Sequence, residues 1–323
     1  MKKNIFSRII ALIVLALSLS GCALQEDQAV DVNLSADDGL SIVTTIFPAY
    51  DFARAVAGDA AQVNMLVPAG AEIHSFEPTP ADIIAISEAD VIVYIGGESE
   101  SWVDSVLQSI DTNSIKIVKL IDTVTPEEEE LVEGMGEEHK HELKTEEVEY
   151  DEHIWTSPQN AVKMVQAVSD ALCNVDKDNE IIYQNNAASY IEQISQIDEA
   201  IQQIVSSAKR KVLVFGDRFP FLYFAKEFGL SYRAAFPGCS SETETSAATM
   251  AHLIDYVQTE KIPYIYYIEL SNQNVAKAIA EQTRAGLLLL HSCHNVTKSD
   301  FEAGVTYVSL MRQNIENLQK GLN

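Results

Sequence analysis

The sequence predicts an α/β protein of two parallel-sheet lobes joined by one long linker helix, with a ligand cleft between the lobes. Three observations support this fold class. β-Branched runs alternate with helical patterns over residues 41–120, and the same alternation returns over residues 212–318. Between them, residues 159–215 contain neither Pro nor Gly, which permits a long uninterrupted helix. Strands that alternate with helices form largely parallel sheets.

The N-terminus has the features of a bacterial lipoprotein signal. Residues 1–21 begin with basic residues and continue into an apolar run at 9–19, which is too short to span a bilayer comfortably. The run ends in Leu-Ser-Gly-Cys, which resembles a lipobox, so we expect Cys22 to be diacylated and to anchor the mature chain. An ordinary signal peptide with a chance Cys is the alternative. Residues 22–40 are polar and acidic, and we expect a flexible tether there.

The first lobe is expected to span residues 41–176. Its predicted strands are the β-branched runs at residues 41–47, 63–67, 91–95 and 115–120. Its predicted helices are residues 50–56, 79–88 and 101–110. The second of these helices has the clearest start, with Thr79 as N-cap and Pro80 at the first helical position.

An acidic segment at residues 125–152 interrupts this lobe. Residues 127–152 contain 13 acidic side chains among 26, together with His139 and His141. Apolar residues then recur at helical spacing over 178–208. We therefore expect a linker helix at residues 177–209, whose stretch from 178 to 208 would be about 45 Å long.

The second lobe is expected to span residues 210–323. Its predicted strands are residues 212–215, 232–236, 264–269 and 287–290. Its predicted helices are residues 219–227, 247–260, 274–283 and 307–318. Ligands of open α/β sheets bind beyond the carboxyl ends of the strands. In a two-lobed protein this places the site in the cleft.

The net charge and the sequence motifs limit the classes of function that this chain can have. The formal net charge is -26, which argues against binding nucleic acid or anionic lipid headgroups directly and suits a cationic ligand. The chain contains no G-x-S-x-G, no P-loop and no H-E-x-x-H motif. We therefore expect a binding protein and not an enzyme.

Histidines at predicted strand and helix ends suggest a metal site. His74 follows the second strand, His153 precedes a helix, and His291 and His294 follow the last strand. A single loop histidine is more often incidental, so the evidence is the constellation. Imidazole and carboxylate ligands suit zinc, and a closed zinc site has four of them.

Several segments together point to a known family. They are TIFPAYDFARAVAG, LVPAGAEIHSFEPTPADI, DEHIWTSPQNA, FPFLYFAKEFGL, SETETSAATMAHLI and YVSLMRQNIENL. They resemble the substrate-binding proteins of zinc and manganese ABC transporters, the group with a rigid helix between two lobes, over nearly all of residues 41–320. The resemblance implies a monomeric, extracytoplasmic lipoprotein on the cell membrane, which captures a divalent metal ion and delivers it to a membrane permease.

The resemblance also implies a ligand set. His74 and His153 match the first two metal histidines of the family. Where the family has a third His or Glu, this chain has Arg218, whose guanidinium offers only donors and cannot ligate. Either Asp217 supplies the carboxylate after a one-residue shift, or the site lacks this ligand. The family's fourth ligand, an Asp or Glu, matches His294, with His291 as the competing choice.

Three histidines favour Zn²⁺ over Mn²⁺, which prefers more oxygen ligands. The acidic segment lies where zinc-specific members carry a His- and acid-rich loop, so His139 and His141 are candidates for collecting metal, and a solvated charged insertion is the alternative. We expect a disulfide between Cys239 and Cys293 that braces the loop of His294. A Cys293 thiolate bound to zinc is the other possibility.

Three alternative functions remain open at this point. A manganese-binding member of the same family would use oxygen-rich coordination and little of His294. A secreted zinc hydrolase would need an open coordination position and a general base beside the metal, for which Glu72 and Glu77 are candidates. A surface adhesin is compatible with the lipid anchor.

Overall fold

The computed structural model describes residues 39–72, 76–135, 149–240 and 245–323. The predicted signal peptide, Cys22 and nearly all of the predicted tether lie outside these residues. So do His74, His139 and His141. Within the described ranges, no helix is both long and apolar enough to cross a membrane.

Two four-stranded sheets form the cores of the two lobes. Their strand orders are β2-β1-β3-β4 and β6-β5-β7-β8, and every pair of neighbouring strands is parallel. The strands are β1 Leu40–Thr44, β2 Ala61–Met65, β3 Val91–Tyr94, β4 Lys116–Lys119, β5 Val212–Arg218, β6 Ser231–Phe236, β7 Tyr264–Tyr267 and β8 Gly286–Leu289. The predicted fold class is confirmed, and each strand overlaps a predicted one.

Helices connect the strands as parallel pairing requires. They are α1 Phe47–Ala57, α2 Pro80–Ser87, α3 Ser101–Ser109, α4 Pro158–Val175, α5 Glu180–Ser207, α6 Leu222–Phe228, α7 Ala247–Thr259, α8 Asn274–Thr283, α9 Lys298–Glu302 and α10 Tyr307–Leu322. Single turns of 3-10 helix lie at Gly58–Ala60, Leu120–Thr123 and Ile154–Thr156. The sequence analysis did not anticipate α9 and placed the end of α10 four residues early.

The predicted cap of α2 is present. The Thr79 hydroxyl accepts a hydrogen bond from Asp82 N at 3.3 Å, and the Asp82 carboxylate accepts one from Thr79 N at 2.7 Å. This reciprocal capping box satisfies two backbone donors that the first turn leaves unpaired. It fixes where the chain re-enters helix after the segment that contains His74.

The linker helix α5 is 28 residues long, or about 42 Å. Its buried side chains recur every three or four residues at Tyr183, Ala187, Tyr190, Ile194, Ile197, Ile201 and Val205. This face packs on α1 and α4 of the first lobe and on α10 of the second. Both lobes and the helix therefore share one continuous hydrophobic core and belong to one compact unit.

A buried carboxylate joins the two lobes beside this helix. Asp51 of α1 is 0% exposed and accepts hydrogen bonds from the Tyr190 hydroxyl of α5 and, at 2.8 Å, from Tyr307 N at the start of α10. Arg54 pairs with the same carboxylate at 2.7 Å. Burial, partly offset by Arg54, raises the pKa of Asp51 above its ordinary value. Since one side chain bonds α1, α5 and α10, it fixes the lobes relative to each other.

Candidate metal centre

A cavity of about 50 Å³ lies between the lobes, where β5, β7 and β8 end. Its lining includes Glu72 and His153 from the first lobe, and Arg218, Glu269 and His294 from the second. One water needs roughly 10–15 Å³ on this scale, so the space suits an ion with a few waters. The cleft predicted from sequence is therefore present.

The rings of His153 and His294 meet in this cavity. Their centroids are 5.1 Å apart and their planes are nearly perpendicular, at 86°. Trp155 packs against both, at 5.3 Å from His153 and 5.1 Å from His294. His153 is 1% exposed, while His294 is partly exposed. The two lobes thus each contribute one imidazole to the same small space.

Asp151 determines how the His153 ring is oriented. Its Oδ1 atom accepts a hydrogen bond from His153 N at 2.7 Å and lies 3.1 Å from His153 Nδ1. A proton on Nδ1 satisfies this contact and leaves Nε2 as the free lone pair, the usual arrangement of a metal-binding histidine with a carboxylate partner.

The charge around His153 is strongly acidic. Burial is the largest effect on the pKa of His153 and lowers it, but Asp151, Glu152 and Glu129 together outweigh burial and raise the pKa above its ordinary value. Glu152 and Asp151 are themselves 4% and 1% exposed. The same electrostatic field that favours a proton on this ring favours a metal cation beside it.

Glu269 shapes the loop that carries His294. Its carboxylate accepts hydrogen bonds from Ser292 N at 2.7 Å, from the Ser292 hydroxyl at 2.5 Å and from His294 N at 3.1 Å. The sequence analysis missed this residue because it extended the strand to 269. Strand β7 ends at Tyr267, so Glu269 follows it, and the strand-end rule that selected the histidines would have found it.

Two contacts hold the His294 loop against the first lobe. Asn295 Nδ2 donates to Pro68 O at 3.2 Å and to Ala71 O at 3.0 Å. Trp155 Nε1 donates to Ser292 O at 2.7 Å. Residues 68–72 lead directly to His74, so Asn295 couples the loop of His294 to the segment from which His74 extends.

Comparison with known proteins identifies the family. The profile of the family described as "Zinc-uptake complex component A periplasmic" matches residues 42–321. The chain belongs to this family. The zinc-binding lipoprotein AdcA of Streptococcus pneumoniae is 35% identical over 289 residues, which cover 88% of this chain and 56% of AdcA. This chain thus spans about half the length of the AdcA relatives that it matches.

A relative of similar length and two solved structures also match most of the chain. The high-affinity zinc uptake system protein ZnuA of Bacillus subtilis is 32% identical over 291 residues, 89% of each chain. The Zn(II)-bound ZnuA-like domain of Streptococcus pneumoniae AdcA matches with a TM-score of 0.72 at 33% identity, covering 88% of this chain and 99% of that chain. The laminin-binding protein Lmb of Streptococcus agalactiae, described as having adhesin and metal-transporting activity, matches at 0.72 and 27% identity, covering 88% and 100%.

At the position where the resemblance implied a third His or Glu ligand, this chain has Arg218. Arg218 lines the cavity, and its Nη1 atom donates to Ser240 O at 3.2 Å and lies 3.9 Å from Glu72 Oε1. Asp217, the expected substitute, is not among the residues that line the cavity of His153 and His294, and it lines a neighbouring cavity. Its carboxylate accepts hydrogen bonds from Arg218 N at 2.9 Å and Ile268 N at 3.5 Å. Ligation by Asp217 therefore stays an untested prediction, and these amide contacts favour the alternative that the site lacks this ligand.

His291 has a structural role in this family member. It is 6% exposed; its backbone bonds both ways with the Asn314 side chain, at 2.7 and 2.8 Å, and its Nδ1 accepts from Cys293 N at 3.0 Å. The same Nδ1 atom lies 3.5 Å from Glu269 Oε2. Of the two competing histidines, His294 is the one at the cavity.

The expected disulfide is absent, because Cys239 and Cys293 are both free thiols. Their surroundings differ. Burial and the carboxylates of Asp151, Glu152 and Glu129 raise the pKa of Cys239. Burial and Glu269 raise the pKa of Cys293, which is 0% exposed with its Sγ 3.8 Å from His291 O. Cys293 is not among the residues that line the cavity of His153 and His294.

The described residues supply part of a metal site and not a whole one. In residues 39–72, 76–135, 149–240 and 245–323, no group of three or more His, Cys, Asp or Glu side chains is arranged to hold a metal ion. Two ligand candidates, His153 and His294, are in place. The third, His74, lies outside these ranges.

Proposed function

We propose that this chain is an extracytoplasmic solute-binding lipoprotein that captures Zn²⁺ for an ABC-type metal importer. The observation that carries the proposal is the pair of imidazoles, one from each lobe, 5.1 Å apart in a small acidic cavity. Family membership and the zinc-named relatives support the same function.

The donor set favours zinc. The proposed ligands are His74, His153 and His294, with water or a carboxylate as the fourth. Three imidazoles suit Zn²⁺, whereas Mn²⁺ prefers oxygen ligands. The free Nε2 of His153 and the small size of the cavity both fit a single metal ion, which is cargo here and not a resident cofactor.

The proposed role is capture without catalysis. A zinc hydrolase needs a general base beside the metal. Glu269, the buried carboxylate of the cavity, already accepts three hydrogen bonds, and this supports a role in shaping the site. The proposal includes lipid anchoring through Cys22, location at the outer face of the cell membrane, delivery to a permease and a monomeric state.

Calorimetry on metal-free protein tests this function. We expect residues 23–323 to bind Zn²⁺ more tightly than Mn²⁺, and His294→Ala to weaken zinc binding about a hundredfold or more, since the loss of an outer partner alone costs 10- to 100-fold. His252→Ala is the matched control, because His252 lies on α7 and does not line the cavity. Tighter Mn²⁺ binding, or equal zinc affinity in the two variants, would overturn the proposal.

A further inference from the structure

Tyr223 reaches from α6 of the second lobe to the segment that precedes His153. Its hydroxyl donates to Asp151 O at 2.7 Å and accepts from Glu127 N at 2.9 Å. The side chain is 5% exposed, so water does not readily replace these bonds. A single phenol thus satisfies backbone groups on two different stretches of the first lobe.

These two stretches form a short stem within the acidic segment, near its two ends. The stem consists of residues 127–129 and 149–151, which pair through Glu129 N to Glu149 O at 3.0 Å and Asp151 N to Glu127 O at 2.9 Å. Glu128 and Tyr150 form the antiparallel bridge between them. Tyr223 is bonded to both sides of the stem, at its end nearest His153.

The second lobe also reaches the stem through Cys239 N, which donates to Glu129 Oε1 at 3.1 Å. Two other contacts between the second lobe and this region are more peripheral. Lys226 pairs with the Glu127 and Glu130 carboxylates at 2.7 Å each, but this contact is exposed. The Tyr232 hydroxyl donates to Glu130 O at 3.4 Å, beyond the stem. Only Tyr223, among the described residues of α6, bonds the Asp151 peptide itself.

The Asp151 peptide leads directly to the metal-facing ring. The Asp151 carboxylate accepts from His153 N at 2.7 Å and contacts His153 Nδ1 at 3.1 Å. The Tyr223 hydroxyl holds the carbonyl of the same residue. If that carbonyl is released, the peptide can rotate, and rotation moves the carboxylate relative to the imidazole.

We propose that Tyr223 is a positioning residue for His153, through which the second lobe fixes the tautomer and direction of a first-lobe metal ligand. The inference deepens the proposed function and rests on it. It gives the inter-lobe contact a specific effect: the second lobe contributes His294 to the site and also orients the opposing histidine.

The decisive variant is Tyr223→Phe, which keeps the ring and removes the hydroxyl. We expect zinc affinity, measured in the mature chain by competition with a chelator, to fall about tenfold, the low end of the range for partners of metal ligands. Tyr232→Phe is the matched control, because it removes a hydroxyl that bonds Glu130 and not Asp151, and we expect its affinity to stay within about twofold of wild type.

A spectroscopic measurement distinguishes a role of Tyr223 in positioning the His153 ring from a general loss of rigidity in the protein. In metal-free protein at alkaline pH, the nitrogen-15 spectrum of His153 should show the Nδ1–H tautomer in the wild type and in Tyr232→Phe. In Tyr223→Phe we expect a mixture of tautomers. An unchanged His153 tautomer in Tyr223→Phe would overturn the proposal even if affinity fell.

A double-mutant cycle tests the route of the effect. If Tyr223 acts through Asp151, then Tyr223→Phe should weaken zinc binding far less in an Asp151→Ala background than in the wild type. Equal losses in the two backgrounds would overturn the proposal. A wild type that bound no zinc would instead refute the proposed function, and the tautomer of His153 would still decide the role of Tyr223.

Discussion

The imidazoles of His153 and His294 lie 5.1 Å apart and at 86° to each other, although they come from different lobes. A carboxylate helps to position each ring. Asp151 orients the first, and Glu269 holds the backbone of the second. A metal ion that binds both rings therefore links the lobes. The affinity for metal then depends on the contacts that fix the position of one lobe relative to the other.

Asp217→Asn tests whether Asp217 is a metal ligand. Because amides of Arg218 and Ile268 hold this side chain in a neighbouring cavity, we expect zinc affinity to stay within about threefold of wild type, well below the effect of losing even an outer partner of a ligand. Calorimetric titration with Zn²⁺ measures this, with His294→Ala as the positive control. A loss of zinc affinity comparable to that of His294→Ala would show that Asp217 is a ligand.

Asn295→Ala tests the bridge between the His294 loop and the first lobe. The variant loses hydrogen bonds to Pro68 O and Ala71 O, so we expect the free energy of unfolding to fall by about 1–3 kcal/mol. We also expect zinc to dissociate faster, because the loop can move from the segment leading to His74. Denaturant unfolding and stopped-flow chelator chase are the measurements. Unchanged dissociation would show that the two loops move independently.

Zinc affinity should fall as the pH is lowered, and the fall should begin above the ordinary imidazole pKa of 6.5. The carboxylates around His153 raise its pKa in spite of burial, and a protonated imidazole cannot bind metal. Competition titrations between pH 5.5 and 8.5 measure the effect. Affinity that stayed flat down to pH 6 would contradict the environment described for His153.

The metal-free protein should show a pH dependence of stability to which Glu100 contributes. Burial raises the pKa of this 3% exposed carboxyl from 4.5 to about 7. Between those values the folded chain holds a proton that the unfolded chain has released, so its stabilising contribution is complete below about pH 4.5 and is lost as the pH rises through 7. The loss is on the order of 3 kcal/mol.

Glu100→Gln should flatten this dependence, because the amide mimics the protonated acid. Glu98→Gln is the control, since Glu98 is exposed in the same loop. Denaturant unfolding of metal-free protein at pH 5 and pH 8 gives both free energies. The same slope in wild type and Glu100→Gln would show that Glu100 ionises normally.

Thiol titration tests whether the expected disulfide is absent. Residues 23–323 contain Cys173, Cys239 and Cys293, all free in the structure. We expect three reactive thiols per unfolded chain prepared without reductant, and slow reaction of the folded chain because Cys173 and Cys293 are buried. A single reactive thiol in the unfolded chain would show that a bridge forms.

The secondary structure was largely readable from the sequence because its signals are local. The apolar spacing of α5, the cap of α2 and the β-branched runs each act within a few residues. The ligand cleft also followed from the alternation of strands and helices, since parallel strands place their carboxyl ends together. The expectation of metal-binding histidines in that cleft rested on the same topology.

Choices between neighbouring residues were decided only by the tertiary structure. His291 and His294 are three residues apart, and Asn314 of a distant helix holds the first while Glu269 directs the second to the cavity. Backbone amides bond the carboxylate of Asp217 beside a neighbouring cavity, and Cys239 and Cys293 are both free thiols. The sequence alone determined the fold class and the kinds of ligand. The direction of each loop side chain depends on hydrogen bonds to residues far along the chain. Such long-range bonds have no local sequence pattern from which they could be predicted.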